Sequence, residues 1–94
     1  MTQPKQSEEA VVTNANNEPL SLVKLTWIDS AGRDGVVWHF KDEVSDIRAT
    51  ICRSVGYLIS EDEDTTLICQ HVNEDQYGRV FAIPTKSVIH KVVI

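Results

Sequence analysis

The sequence predicts an all-β domain, a small five-stranded barrel or curved antiparallel sheet, and three observations carry that expectation. Short β-branched and aromatic runs recur from residue 20 to residue 94, and none has the length and 3.6-residue period of a major helix. The first of them, "LSLVKLTWID", alternates Val23, Leu25 and Trp27 with Leu22, Lys24 and Thr26, the period of a half-buried strand. The acidic interval "EDED" (Glu61 to Asp64) divides two such runs at hairpin spacing. The alternative is an α+β arrangement with a helix near 41–48.

Residues 1–19, rich in Gln, Asn, Glu and Pro, offer little to bury and read as a flexible polar tail; residues 20–94 read as a single domain. After the first strand, "DSAGRDG" supplies turn residues for an exposed loop. "VVWHF" is a short β-rich segment, and "KDEVSDI" has room for one helical turn. From Ala49 the residues Ile51, Val55, Tyr57 and Ile59 share one parity, interrupted by Arg53, and "TTLICQHV" returns as the second arm of a hairpin. "GRVFAI" runs into Pro84, which cannot donate to a ladder, so "PTKS" is the place for a 3₁₀ turn before the closing strand "SVIHKVVI". Regular alternation in that strand sets Val88, Val92 and Ile94 on one face and Ile89 and Val93 on the other. The second set is a candidate contact between subunits, with burial beneath the N-terminal segment as the alternative.

Composition narrows the function classes. The chain of 94 residues carries a formal charge of −5, and without residues 1–19 the balance is still 8 basic against 11 acidic side chains. The basic residues are scattered singly, which disfavours nucleic acid as a partner because phosphate binding needs a basic stripe. A nucleotide or RNA site would need Arg48, Arg53, Arg79 or Lys86 to cluster. There is neither an apolar run of about 18 residues nor a signal-peptide pattern, so the expectation is a cytoplasmic protein without a membrane partner. Cys52 and Cys69 form no disulfide framework and read as small buried hydrophobes.

The residues that invite a chemical reading do not support one. As a calcium loop beginning at Asp62, "EDED" places Leu67 where Gly is needed and Asn73 where a bidentate Glu is needed. Adjacent carboxylates on a hairpin tip lack the enclosure that would separate two pKa values, so the stretch reads as a solvated turn without bound metal. His39, His71 and His90 with the two cysteines show no paired-ligand spacing, and there is no nucleophile elbow or phosphate loop. The expectation is therefore no enzyme and no cofactor. Trp27 reads as core from its parity, whereas for Trp38, beside the loop, core and binding surface both remain open. Trp38, His39, Arg33 and Asp34 form the candidate binding residues.

The segments "KLTWIDSAG", "SVGYLISEDED", "TTLICQ" and "FAIPTKSVI" together resemble a group of small uncharacterised bacteriophage and prophage proteins. That resemblance covers about residues 24–90 and implies a phage origin and an accessory role in the infected cell, with no catalytic residues to transfer. The order of elements, a long bent hairpin, a strand, a 3₁₀ turn near a proline and a final strand, is also similar to SH3-like and Sm-like barrels. The functional expectation is a non-catalytic protein-binding module that inhibits or redirects a host or phage protein. The alternative is an oligomeric Sm-like module holding a nucleotide or short RNA between subunits.

Overall fold

The computed structural model describes residues 11–32, 35 and 37–94. Among the described residues seven strands follow one another: β1 (Leu22–Asp29), β2 (Thr50–Glu61), β3 (Thr65–Cys69), β4 (His71–Val72), β5 (Tyr77–Gly78), β6 (Phe81–Pro84) and β7 (Val88–Val93). Five of them form one antiparallel sheet in the order β6-β3-β2-β1-β7, and β4 and β5 form a separate ribbon. Among the described residues no ladder joins the outer strands β6 and β7, so the expected antiparallel sheet is present without closure into a barrel. The alternative helix over 41–48 contracts to a 3₁₀ turn at Lys41–Glu43, and Val37 to Phe40 make no strand. The second 3₁₀ turn, Thr85–Ser87, follows Pro84 as the sequence predicts.

The alternation in β1 picks the correct inner face: Val23, Leu25 and Trp27 are buried and form the core with Ile68 and Ile83. Full burial of one such aliphatic side chain is worth about 1.5–3 kcal/mol. In β2 the apolar parity picks the wrong face. Residues directly opposite in an antiparallel pair share a face, and Trp27, Leu25 and Val23 lie opposite Cys52, Ser54 and Gly56. Small side chains therefore face inward beneath large ones, while Ile51 and Val55 stay exposed on the outer surface. The Trp27 indole Nε1 donates to Ser54 Oγ at 3.0 Å, and its ring lies 5.8 Å from that of Phe81.

Gly56 marks the point where β3 meets β2. A Cβ at this position would stand 2.7 Å from the Cys69 carbonyl oxygen and 3.3 Å from Ile68 Cβ, so only glycine lets the end of β3 come this close. Further along, the register of β2 with β3 shifts between Leu58 and Ser60, leaving Ile59 as the extra residue of a bulge. A second shift, in the β1–β7 ladder, pairs Trp27 with Val88 but Thr26 with His90. Ile89 is the extra residue there. This corrects the regular alternation expected in β7: Val88 faces the core side, while Val92, opposite Lys24, lies on the outer side.

Three hairpin tips are built by the same device. The Oδ1 atoms of Asn14, Asp62 and Asn73 each accept two backbone N–H groups, from Asn16 and Glu18, from Asp64 and Thr65, and from Asp75 and Gln76. Asx side chains fold their own backbone in this way. The acidic stretch is thus a turn, as its sequence predicts, although Asp62 organises the turn as well as being solvated. Part of the stretch read as tail, residues 12–19, is drawn into the first of these turns, closed by Leu20 N–H bonded to Val12 O at 2.7 Å.

Glu61 has its own role. It accepts from Lys91 Nζ at 2.8 Å, joining the end of β2 to β7, and from Thr66 Oγ1 at 3.1 Å. Thr66, fully buried, lies 2.9 Å from Thr85 Oγ1, which donates to the Asp62 carbonyl. Two hydroxyl protons are shared among these three contacts, and the network ties β2, β3, β7 and the second 3₁₀ turn together. The Lys91 ammonium, and secondarily the Thr66 hydroxyl, hold the Glu61 carboxyl below its ordinary value. The Thr65 and Asp64 amides do the same for Asp62.

Two expectations follow from this packing. Gly56→Ala should destabilise the chain by about 1–3 kcal/mol, the usual cost of overpacking, read from chemical denaturation; an unchanged midpoint would mean that β3 does not approach β2 as described. The second concerns pH. A carboxylate whose folded pKa is lowered contributes stability that is fully present above its unfolded value, about 4.3 for Glu, and is lost as pH falls through the folded value. Glu61→Gln should therefore lower stability by under about 1 kcal/mol at pH 7, after allowance for solvent screening. The gap to the parent chain should close as pH falls from about 4.3 through the lowered folded value. A gap of constant size across that window would contradict the Glu61–Lys91 interaction.

Candidate functional site

The site is a consequence of where β3 stops following β2. The β2–β3 ladder begins at Tyr57, opposite Cys69, whereas the β1–β2 ladder extends from Tyr57 back to Thr50. Beyond Cys69 the chain turns into the β4–β5 ribbon, with Gln70 N–H bonded to Gly78 O. Among the described residues the first half of β2 therefore has a neighbour on one side only. A groove of about 610 Å³ opens on the other side, between Arg53, Ser54 and Val55 of β2 and the segment Arg79 to Phe81. Ile68 and Gln70 complete its lining at the mouth of β3.

The register determines what β2 presents there. Leu58 N–H donates to Ser21 O, which makes Ser21 and Leu58 a hydrogen-bonded pair. Hydrogen-bonded pairs recur every second residue, so Gly56, Ser54 and Cys52 also spend their amides and carbonyls on β1. The backbone groups of Val55, Arg53 and Ile51 point the opposite way, into the groove, where no strand meets them among the described residues.

The side chains around this edge are apolar and cationic. Val55, Val80 and Phe81 are about half exposed, and the Trp27 ring supports Phe81 from below. Arg53 and Arg79 flank the groove, and among the described residues no carboxylate lines it. Arg79 also carries a left-handed backbone, φ 52°, directly after a glycine that does not. Such a conformation costs a non-glycine residue roughly 1 kcal/mol and concentrates at functional positions.

Trp38, one of the candidates from sequence, is 89% exposed, so the solvent position holds between the two open readings, and Val37 and Phe40 beside it are similarly bare. His39 is half-buried. Arg33 and Asp34 lie outside the described residues. This connection enters β2 at Thr50, at the same end of the strand as the groove. Ile89 and Val93 of the proposed subunit contact are exposed on β7. Of the four basic residues whose clustering a phosphate site would require, the structure brings Arg53 and Arg79 to one groove and leaves Arg48 and Lys86 off it. Sequence reading missed Val55, Arg79 and Phe81 as site residues. The available signal was Arg53, a lone cation within an apolar strand run.

The groove brings together an open strand edge, half-exposed apolar side chains and two arginines. Among the described residues no group of three or more His, Cys, Asp or Glu side chains could hold a metal ion. Burial raises the Cys69 thiol above its ordinary value, only partly offset by the His71 amide, which works against a thiolate nucleophile. No helix among the described residues is long and apolar enough to cross a membrane. No family model, no curated protein and no solved structure matches this chain.

Proposed function

We propose that this chain is a non-catalytic protein-binding module, and that the groove beside the first half of β2 is its binding face. The observation that carries the reading is the combination, in one groove, of unpaired strand edge, half-exposed apolar side chains and two arginines. An unpaired edge is a template for another chain, and its exposure is otherwise a liability. The bent β2–β3 hairpin, β6, the 3₁₀ turn after Pro84 and β7 follow the element order of an SH3-like or Sm-like barrel, which supports that finer description of the scaffold. An accessory role that inhibits or redirects a host or phage protein is the setting that the phage-like segments add.

A second reading is kept because Arg53 and Arg79 do share a groove: an oligomer holding a nucleotide or short RNA between subunits. The chain's charge of −5 weighs against it, since it repels polyanions at a distance.

Selection of a protein-fragment display library on the immobilised full chain tests the first reading. Recurrent fragments should be enriched, and Val55→Lys should abolish their binding while leaving the folded spectrum intact. Failure to enrich any fragment, or binders indifferent to Val55→Lys, would remove the groove as the binding face. A ring-sized assembly with nucleotide absorbance, by light scattering and ultraviolet ratio, would favour the second reading instead.

A further inference from the structure

We infer that the groove takes one particular kind of occupant, an extended acidic segment of a partner protein that adds to β2 as a strand, with carboxylates alternating with aliphatic side chains. The inference rests on the module reading above and names its ligand.

The backbone argues for an added strand. Ile51, Arg53 and Val55 point their amides and carbonyls into the groove, one residue in two, which is the spacing an antiparallel neighbour satisfies. β3 supplies such a neighbour from Tyr57 onward and then leaves, so an incoming segment would continue the line of a strand already in the sheet. The unpaired stretch from Thr50 to Gly56 is roughly 20 Å long at about 3.3 Å per residue, enough for roughly six residues of partner. Main-chain hydrogen bonds would provide affinity and the alternating side chains specificity.

The side chains argue for acidity. In a chain with more acidic than basic residues, this groove is lined, among the described residues, by two arginines and no carboxylate. Among the described residues neither Arg53 nor Arg79 has an ion-pair partner. An arginine matches a carboxylate through its planar fork, and both could do so from the flanks of a bound strand. Arg53 and Val55, two residues apart, share the outer face of β2, so the carboxylates of the bound strand would lie beside Val55 on that face, and its aliphatic side chains would turn to the inner side, toward Phe81 next to Trp27. A polynucleotide could use the arginines and stack on Phe81, but it has no pattern of amides and carbonyls to complement the open edge of β2.

The test uses the full chain and an acetylated peptide alternating Glu and Val over roughly six residues, the length of the open edge. Three comparison peptides carry Gln for Glu, Lys for Glu, or N-methyl groups on the amides that would face β2. Binding is followed by amide chemical shifts, and an oligothymidylate serves as the nucleic-acid probe. The Glu–Val peptide should bind, moving the Ile51, Arg53 and Val55 amides and protecting them from exchange. The Gln peptide should bind at least about tenfold more weakly, equivalent to about 1.4 kcal/mol. The N-methylated peptide should not bind. The double charge reversal Arg53→Glu, Arg79→Glu should exchange the preference toward the Lys peptide, a gain that mere unfolding would not produce. Equal binding of Glu and Gln peptides, unmoved β2 amides, or tighter binding of oligothymidylate would overturn the inference. If selected fragments bind the groove without adding to β2, the module reading survives and this inference falls. If neither fragments nor peptides bind, both fall.

Discussion

The structure turns on the approach of the Cys69 carbonyl to Gly56, where a single added Cβ would be held at 2.7 Å. With β3 pressed against β2 at that point, Ile68 reaches the core beneath Val23 and Leu25, and β6 follows β3 to bring in Ile83. Because the contact comes at the last residue of β3, the chain can then depart into the β4–β5 ribbon. Among the described residues the first half of β2 is left with β1 alone. Core and groove are thus two results of one close approach.

Small residues elsewhere in β2 extend this logic. Cys52 and Ser54 occupy the inner positions opposite Trp27 and Leu25, leaving room for the indole and giving it an acceptor in Ser54 Oγ. The bulky residues of the strand are therefore displaced to the outer face, where Ile51 and Val55 remain exposed. At the end of β2, Glu61 binds Lys91 and Thr66. This polar network spans strands that no ladder joins directly.

How much of this could be read in the sequence depended on whether a strand's larger residues were also its buried ones. In β1 they were, and Val23, Leu25 and Trp27 were legible at once. In β2 the inner face is the small one, because partner strands already fill the space. Apolar alternation therefore pointed outward, although the small series Cys52, Ser54 and Gly56 was visible in the same stretch. In β7 a one-residue bulge at Ile89 broke the parity, and nothing local announces it. The turn at Asp62 was legible through its residue types, but not the two backbone bonds that its side chain makes. The groove was the least legible feature: it joins residues 53–55 to residues 79–81 through a strand departure that is a tertiary event.

The central claim is that β2 is paired on one side only between Thr50 and Gly56, with every second amide unspent. Backbone amide hydrogen exchange of the free chain, resolved residue by residue, addresses it directly. The account predicts alternation: slow exchange at Cys52, Ser54 and Gly56, which bond to β1, and fast exchange at Ile51, Arg53 and Val55, with protection on both parities returning from Tyr57 onward. Uniform protection across residues 51–56 would show the edge to be covered and would contradict both the groove and the function drawn from it.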